Sequence, residues 1–234
     1  NPEQVIASAG KLCYAADTDN ILQHSAQDCN KFISMITNIG HLSVLEHVSF
    51  TFYIEGVSRA MTHQLVRHRL ASYSQRSQRY VSHSSFDYII PPQLEGKFVT
   101  VNDQKMPATQ YYQQVMNDIA VAYNTLASAL GDKGESSNED ARYVLPNACE
   151  TKIFVTMNAR ELLHFLQERL CNRAQWEIRD VANQMLTILR ETMPSIFNLA
   201  GPKCLATGKC PEGKMTCGKL KEVIAKFKVD TSKM

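Results

Sequence analysis

Five arginines (Arg59, Arg67, Arg69, Arg76, Arg79) and three histidines (His63, His68, His83) lie between Glu55 and Asp87, with no acidic residue among them. The chain as a whole carries a formal net charge of only +2, so this positive charge is local and makes no general demand for a polyanionic partner. Gln64, Ser72, Ser74, Gln75, Ser77, Gln78 and Tyr80 are interleaved with the cations. They add the neutral donors and acceptors that a phosphate, a ribose and a base require. An arginine fork on an anion makes charge-assisted bonds worth roughly 1.5–3 kcal/mol each, against about 1 kcal/mol or less for an exposed ion pair. The chemistry this set suits is the grip of a phosphorylated ligand. A solvated basic face or a nonspecific nucleic-acid patch has a similar composition, but this run lacks lysine and follows a patterned apolar segment, unlike a basic tail.

Arg169 is a second candidate. It stands three residues after Leu166 and seven after Leu162, on a helical stripe that otherwise faces a core, where a guanidinium is costly unless something anionic meets it. That partner is either a ligand or an internal carboxylate, Glu161, Glu168 or Glu177. Asn158, Arg160 and His164 precede it, the last two four residues apart and therefore on one helix face. Ser77 and Cys149 are the candidate nucleophiles, yet neither has a neighbouring base in a recognisable pattern.

The elements that must position these groups follow from periodicity. Cys29, Phe32, Ile33 and Ile36 predict a helix over 27–39, closed at Gly40. Alternation of Val48, Phe50, Phe52 and Ile54 with polar residues predicts a strand over 48–55, and Ser58 is placed to cap a helix running toward Arg67. Apolar residues at threes and fours predict a long helix from Ala108 to Leu130. The polar, glycine-containing stretch 131–140 reads as a mobile surface loop. Ile153, Val155 and Met157 predict a second strand leading into a helix through Leu162, Phe165 and Leu166. A further helix spans about 174–192, with Asn172 able to cap it. The expected fold is α/β of the α+β type, a mixed or antiparallel sheet with long helices. With 234 residues, 44% of them hydrophobic, the chain can bury a real core.

Taken in order, His41-x-Ser43-x-Leu45-Glu46-His47, then Gln64 with Arg67-His68-Arg69-x7-Ser77-Gln78-Arg79-Tyr80, then Arg142 before Val144-Leu145-Pro146-Asn147, then Asn158-x-Arg160 through Arg169, the chain resembles the flavin-dependent thymidylate synthases over residues 1–199. The resemblance implies conversion of dUMP to dTMP, with the carbon from methylenetetrahydrofolate and the hydride from FAD reduced by NADPH, leaving tetrahydrofolate. It also implies a homotetramer with active sites shared between subunits. Carried over by position, Ser43, Arg67, His68, Arg69, Gln75, Asn158, Arg160 and His164 would contact FAD. Gln64, Arg67, Gln75, Arg76, Ser77, Gln78, Arg79, Arg142 and Arg169 would contact dUMP, with Arg79 and Arg142 at its phosphate. Arg169 would be the catalytic residue, stabilising negative charge at the uracil edge, and Ser77 a contact rather than a nucleophile. Gln75 and His164 stand at positions that vary within the family.

Residues 200–234 lie outside the shared core and are expected to form an extended or partly disordered extension. Cys204, Cys210 and Cys217 lack an obvious fourth partner and the paired spacing of a zinc site, so no metal is expected. The seven cysteines read as reduced thiols of a cytoplasmic protein, and no apolar run is long enough to cross a bilayer. A start at Asn1-Pro2 suggests that native residues, among them the family's first strand, precede this chain. The competing readings are a cysteine-dependent thymidylate synthase using Cys149 and a nucleic-acid-binding module built on Arg67 to Arg79.

Overall fold

The computed structural model describes residues 1–229. In chain order the elements are α1 (Pro2–Leu12), α2 (Ala26–Asn38), a 3-10 turn (Ser43–His47), β1 (Ser49–Ser58), α3 (Arg59–Leu65), β2 (Ala71–Gln75), β3 (Phe98–Val101), β4 (Gln104–Pro107), α4 (Ala108–Ala129), α5 (Glu135–Ala141), β5 (Glu150–Asn158), α6 (Ala159–Arg169), α7 (Trp176–Thr192), α8 (Pro194–Phe197), α9 (Lys203–Thr207) and α10 (Leu220–Phe227). Three strands pair in the order β1-β5-β2, and β3 and β4 form an antiparallel pair from Phe98↔Pro107 to Val101↔Gln104. This is the mixed α/β architecture with long helices that the periodicity predicts.

The chain divides into two compact units. Unit 1 comprises Asn1–Thr51, His68–Ser72 and the chain from Thr156 onward; unit 2 comprises Phe52–Arg67 and Tyr73–Val155. In unit 1 the buried faces of the helices supply Ile6, Cys29, Ile33, Leu162, Phe165, Leu166, Ile178, Leu189 and Phe197, and Phe197 meets Phe50 edge-on at 5.7 Å between ring centroids. In unit 2, β1 alternates as expected until Gly56, whose φ of +68° breaks the period so that Val57 and Ser58 are both buried. Ser58 then caps α3, its Oγ accepting from Met61 N at 3.0 Å. β5 buries Thr151, Ile153, Val155 and Met157 on one face.

Three local expectations are corrected. The stretch read as a loop, 131–140, holds all but the last residue of α5 (Glu135–Ala141). Its polar residues fold because two are buried and satisfied: Ser137 Oγ accepts from Lys133 N and donates to Leu130 O, and Asn138 accepts from Tyr123 Oη. Ala141 closes the packing against Tyr123 and Ala127. The cap of α7 is Gln175 rather than Asn172, its Oε1 accepting from Glu177 N and Ile178 N. The described part of the C-terminal extension is folded, not extended. Val223 and Phe227 of α10 are buried, and Arg190 donates to Phe197 O, Ala200 O and Phe227 O. Residues 200–229 fold with unit 1. The remainder of the predicted extension lies outside the described residues.

Candidate functional site

In unit 1 the site begins at the entry to α6. Asn158 caps that helix, its Oδ1 accepting from Glu161 N at 2.8 Å, and Ala159 N donates to Val48 O. On the helix, Glu161, Phe165 and Arg169 recur every four residues and so form one ridge. His68 lies across all three. Its Nδ1 is 3.3 Å from Glu161 Oε1, its ring meets Phe165 edge-on at 5.0 Å, and its Nε2 accepts from Arg169 Nε at 3.0 Å. An acceptor at Nε2 requires the proton at Nδ1, which is then the donor to Glu161.

Burial keeps the ring neutral. His68 is 5% exposed, and burial, then the charges of Arg169 and His164, pull its pKa from 6.5 down to about 4. Glu161 moves the opposite way, its carboxyl raised by burial. The pair is therefore a hydrogen bond at neutral pH rather than an ion pair. Arg169 is half-buried; of the carboxylates weighed as its internal partner, Glu161 turns to His68 and Glu168 to Lys203.

Beside this ridge is a concave cavity of about 470 Å³ lined by Glu46, Leu70, Asn158, Arg160, Glu161 and His164, among others, within the size range of small-ligand sites. Arg160, paired with Glu46, also borders a second cavity that holds Ser43, His41 and Tyr14. Four of the residues expected at FAD, Ser43, Asn158, Arg160 and His164, are thus gathered within unit 1 around Arg160. The donors suit a flavin dinucleotide: a guanidinium for phosphate, with hydroxyl, amide and imidazole groups beside it. His68 is not at these cavities, because its ring is spent on α6. Arg69 is exposed and borders neither cavity. Among the described residues, His68, Glu161 and His164 bring possible metal-ligand atoms within 4.8 Å of one another, but Nδ1 and Nε2 of His68 are already engaged.

Unit 2 holds the other set. The turn after β2 is built by Ser77, whose Oγ accepts from Arg79 N and Tyr80 N at 3.1 and 3.4 Å. Asn138 of α5 donates to Arg79 O, and Tyr123 Oη of α4 accepts from His83 N. The guanidinium of Arg79 pairs with Glu135 and Glu139 at 2.8 and 3.1 Å and lies over the ring of Tyr80. Arg142 donates to Glu139 O, so α5 brings the two expected phosphate arginines together. Ser77 is a turn former. Gln75 is committed through Nε2 to Thr62 and Thr151 at 2.9 and 3.2 Å. Arg67 and Arg76 are exposed, and Gln64 and Gln78 are partly exposed.

Sequence reasoning missed Glu135 and Glu139 because they sit in the stretch read as a loop. It weighed Glu161 only as a partner for Arg169; the Asn158-x-x-Glu161 spacing marks a capping motif but gives no hint of His68.

Cys149 is fully buried, and burial pushes its thiol up to about 11 against the opposing pull of Arg59. A protonated, enclosed thiol is a poor nucleophile. Cys149→Ala is therefore expected to retain most of the turnover per folded chain while costing about 1 kcal/mol in stability. Loss of turnover in a folded, flavin-loaded variant would restore the cysteine-dependent reading.

The chain's sequence has known counterparts. Residues 1–195 match the family described as thymidylate synthase complementing protein. The flavin-dependent thymidylate synthase of Geobacter sulfurreducens is 50% identical over 230 residues, spanning 97% of this chain and 94% of that protein. The enzyme of the same name from Clostridium tetani is 48% identical over 236 residues, spanning 95% and 91%, and that from Pyrococcus furiosus is 42% identical over 224 residues, spanning 90% and 85%. The first two alignments run past residue 199, so the likeness includes part of the folded C-terminal segment. With the arginine-rich turn, the α6 ridge and these relatives in agreement, the chain belongs to the flavin-dependent thymidylate synthases.

Proposed function

We propose that the two clusters divide the ligands of the family's reaction, the cavities around Arg160 in unit 1 serving FAD and the α5-braced turn of unit 2 serving dUMP. The activity is reductive methylation of dUMP to dTMP, with methylenetetrahydrofolate as carbon donor. The flavin, reduced by NADPH, supplies the hydride when bound. The observation that carries the division is the gathering of Ser43, Asn158, Arg160 and His164 around linked cavities, apart in composition from the arginine pair anchored by α5.

On this reading Arg160 binds a flavin phosphate, exchanging its exposed partner Glu46. Arg79 and Arg142 bind the nucleotide phosphate. The Arg79 pairs are about two-fifths exposed and therefore weak, so a phosphate dianion displaces Glu135 and Glu139 at modest cost. Arg169 is the group for the N3–O2 edge of uracil, where it stabilises negative charge and raises electron density at C5. His68 is a positioning residue: it fixes the Arg169 guanidinium through Nε and is itself fixed by Glu161. Residues 1–199 carry this machinery, and the segment after Ala200 supports unit 1.

Assembly into a homotetramer with shared sites is part of the proposal. Large apolar side chains stay exposed on the single chain, among them Tyr143 (84%), Leu70 (73%) and Val121 (66%), as expected of surfaces that subunits cover. Light scattering should give the mass of four chains. Among the described residues no helix is long and apolar enough to cross a membrane, and the seven cysteines, all free, suit a cytoplasmic setting. The proposed reaction calls for neither a nucleic acid nor a membrane as partner.

The reaction is tested directly by spectroscopy. Bound flavin should bleach with NADPH and recover its colour under anaerobic conditions when dUMP and methylenetetrahydrofolate are both added. A colourless chain that FAD cannot reconstitute, or one whose affinity for nucleic acid falls steeply with salt, would favour the binding-module alternative. Arg79→Ala is expected to raise the KM for dUMP roughly ten- to a hundredfold through loss of a charge-assisted phosphate contact, with flavin content unchanged. An unchanged KM would remove Arg79 from the phosphate site.

A further inference from the structure

Four of the seven cysteines border one cavity. Cys171 sits in the turn after α6, Cys204 in α9, and Cys210 and Cys217 in the loop that precedes α10; together they line a concavity of about 220 Å³. We propose that Cys171, Cys204, Cys210 and Cys217 are the ligands of a tetrathiolate site for a zinc-class divalent cation, which fastens the 203–219 segment to the end of α6.

Three independent features of this region support a metal. The first is the burial pattern. Between Lys203 and Leu220 no side chain is buried, and the only ones not fully exposed are Cys204, Leu205, Cys210, Cys217 and Leu220. The segment therefore turns its thiols inward and has almost no apolar core of its own. Its visible fastenings are polar: Arg173 to Glu212, Lys203 to Glu168, and Asn172 Nδ2 to Cys217 Sγ at 3.8 Å. Segments with so little core usually depend on a staple.

The second feature separates a metal from disulfides. Cys171, Cys204, Cys210 and Cys217, drawn from separate turns of the chain, all line the same cavity. Four thiols around one cavity offer a single ion a full set of ligands, whereas two disulfides would separate into pairs. All four are free thiols. The third feature is charge. A zinc ion with four thiolates carries two net negative charges, and Arg173 and Lys203 border the cavity, with Lys209, Lys214 and Lys219 in the same segment.

Tetrahedral sulfur ligation is the structural zinc arrangement. The sulfurs are spread more widely than four ligands of one ion, since among the described residues only the His68 group brings ligand atoms within 4.8 Å of one another. Turns at Gly208, Gly213 and Gly218, all with positive φ, let the exposed loop close inward without breaking a packed core. Binding ionises four thiols and releases four protons. Arg169 lines the same cavity two residues before Cys171, so the site braces the end of α6, which carries the proposed catalytic guanidinium.

The test uses the full chain purified with reductant and no chelator. Elemental analysis should find one zinc per chain, and X-ray absorption should give four sulfur neighbours at about 2.3 Å. Chelation should expose four thiols to titration and make Lys209, Lys214 and Lys219 sensitive to trypsin, with protection restored by zinc alone. Cys217→Ser should lower zinc content without loss of flavin. These wild-type measurements stand even if a variant fails to fold. Absence of stoichiometric metal, a shell of nitrogen and oxygen, bound iron with acid-labile sulfide, or four cysteines joined in two disulfides would each overturn the assignment.

Discussion

Arg169→Lys is expected to lower turnover by roughly a hundred- to a thousandfold, the range for removing one aimed donor from a charge-stabilising site, while dUMP still binds. A lysine keeps the positive charge but replaces a planar fork with a single ammonium. In the structure the Nε of Arg169 is held by His68 Nε2 at 3.0 Å, which fixes the plane of the guanidinium. A lysine at this half-buried position has one nitrogen and cannot both satisfy His68 and meet a ring edge. The contrast is read from kcat at saturation and dUMP affinity by calorimetry. Full turnover in the lysine variant would take Arg169 out of the catalytic role.

The second large effect is a loss of stability on acidification. The unfolded imidazole of His68 takes a proton near pH 6.5 and the folded one only near 4. Between those values the unfolded state binds more protons, so stability falls as pH falls through the window, by up to about 3 kcal/mol. Glu161 acts in the opposite sense. Its carboxyl, raised by burial, takes up a proton in the folded state first and offsets part of the loss at the acid end. Protonation at Nε2 also removes the acceptor for Arg169, so activity should fall with stability. His68→Gln should flatten the dependence of the melting temperature on pH between 7 and 4.5. An unchanged slope in that variant would mean that other groups dominate the acid response.

The frame of the fold was legible wherever apolar residues repeat at a clear period. α2, β1, α4, β5 and α6 lie where the pattern predicts, and the cap at Ser58 is made by the residue expected. What failed to show was structure held by tertiary polar contacts. Ser137 and Asn138 look like loop residues, and only the hydrogen bonds to Lys133, Leu130, Tyr123 and Arg79 explain their burial. α10 has apolar residues at 220, 223, 224 and 227, but a pattern of two turns is too short to separate from an extension until Arg190 is seen anchoring its end.

The site shows the same limit. The composition of residues 56–86 points to the anion-binding role proposed for them, and the ordered motifs point to the ligands proposed with it. The alternating exposure of Arg67, His68 and Arg69, with the histidine turned inward, is not written in those motifs. It arises because Glu161, Phe165 and Arg169 offer one ridge to a single ring. Cys171 likewise stood apart from the three later cysteines until the fold placed all four around one cavity.

The division of ligands between the two clusters is tested most directly by the flavin-to-protein ratio of two purified variants, Arg160→Ala and Arg79→Ala. Arg160→Ala should lose most of its FAD and regain it only at high added FAD, while Arg79→Ala should retain wild-type flavin and be impaired in dUMP binding. Full flavin occupancy in Arg160→Ala, or flavin loss in Arg79→Ala with the fold intact, would contradict it.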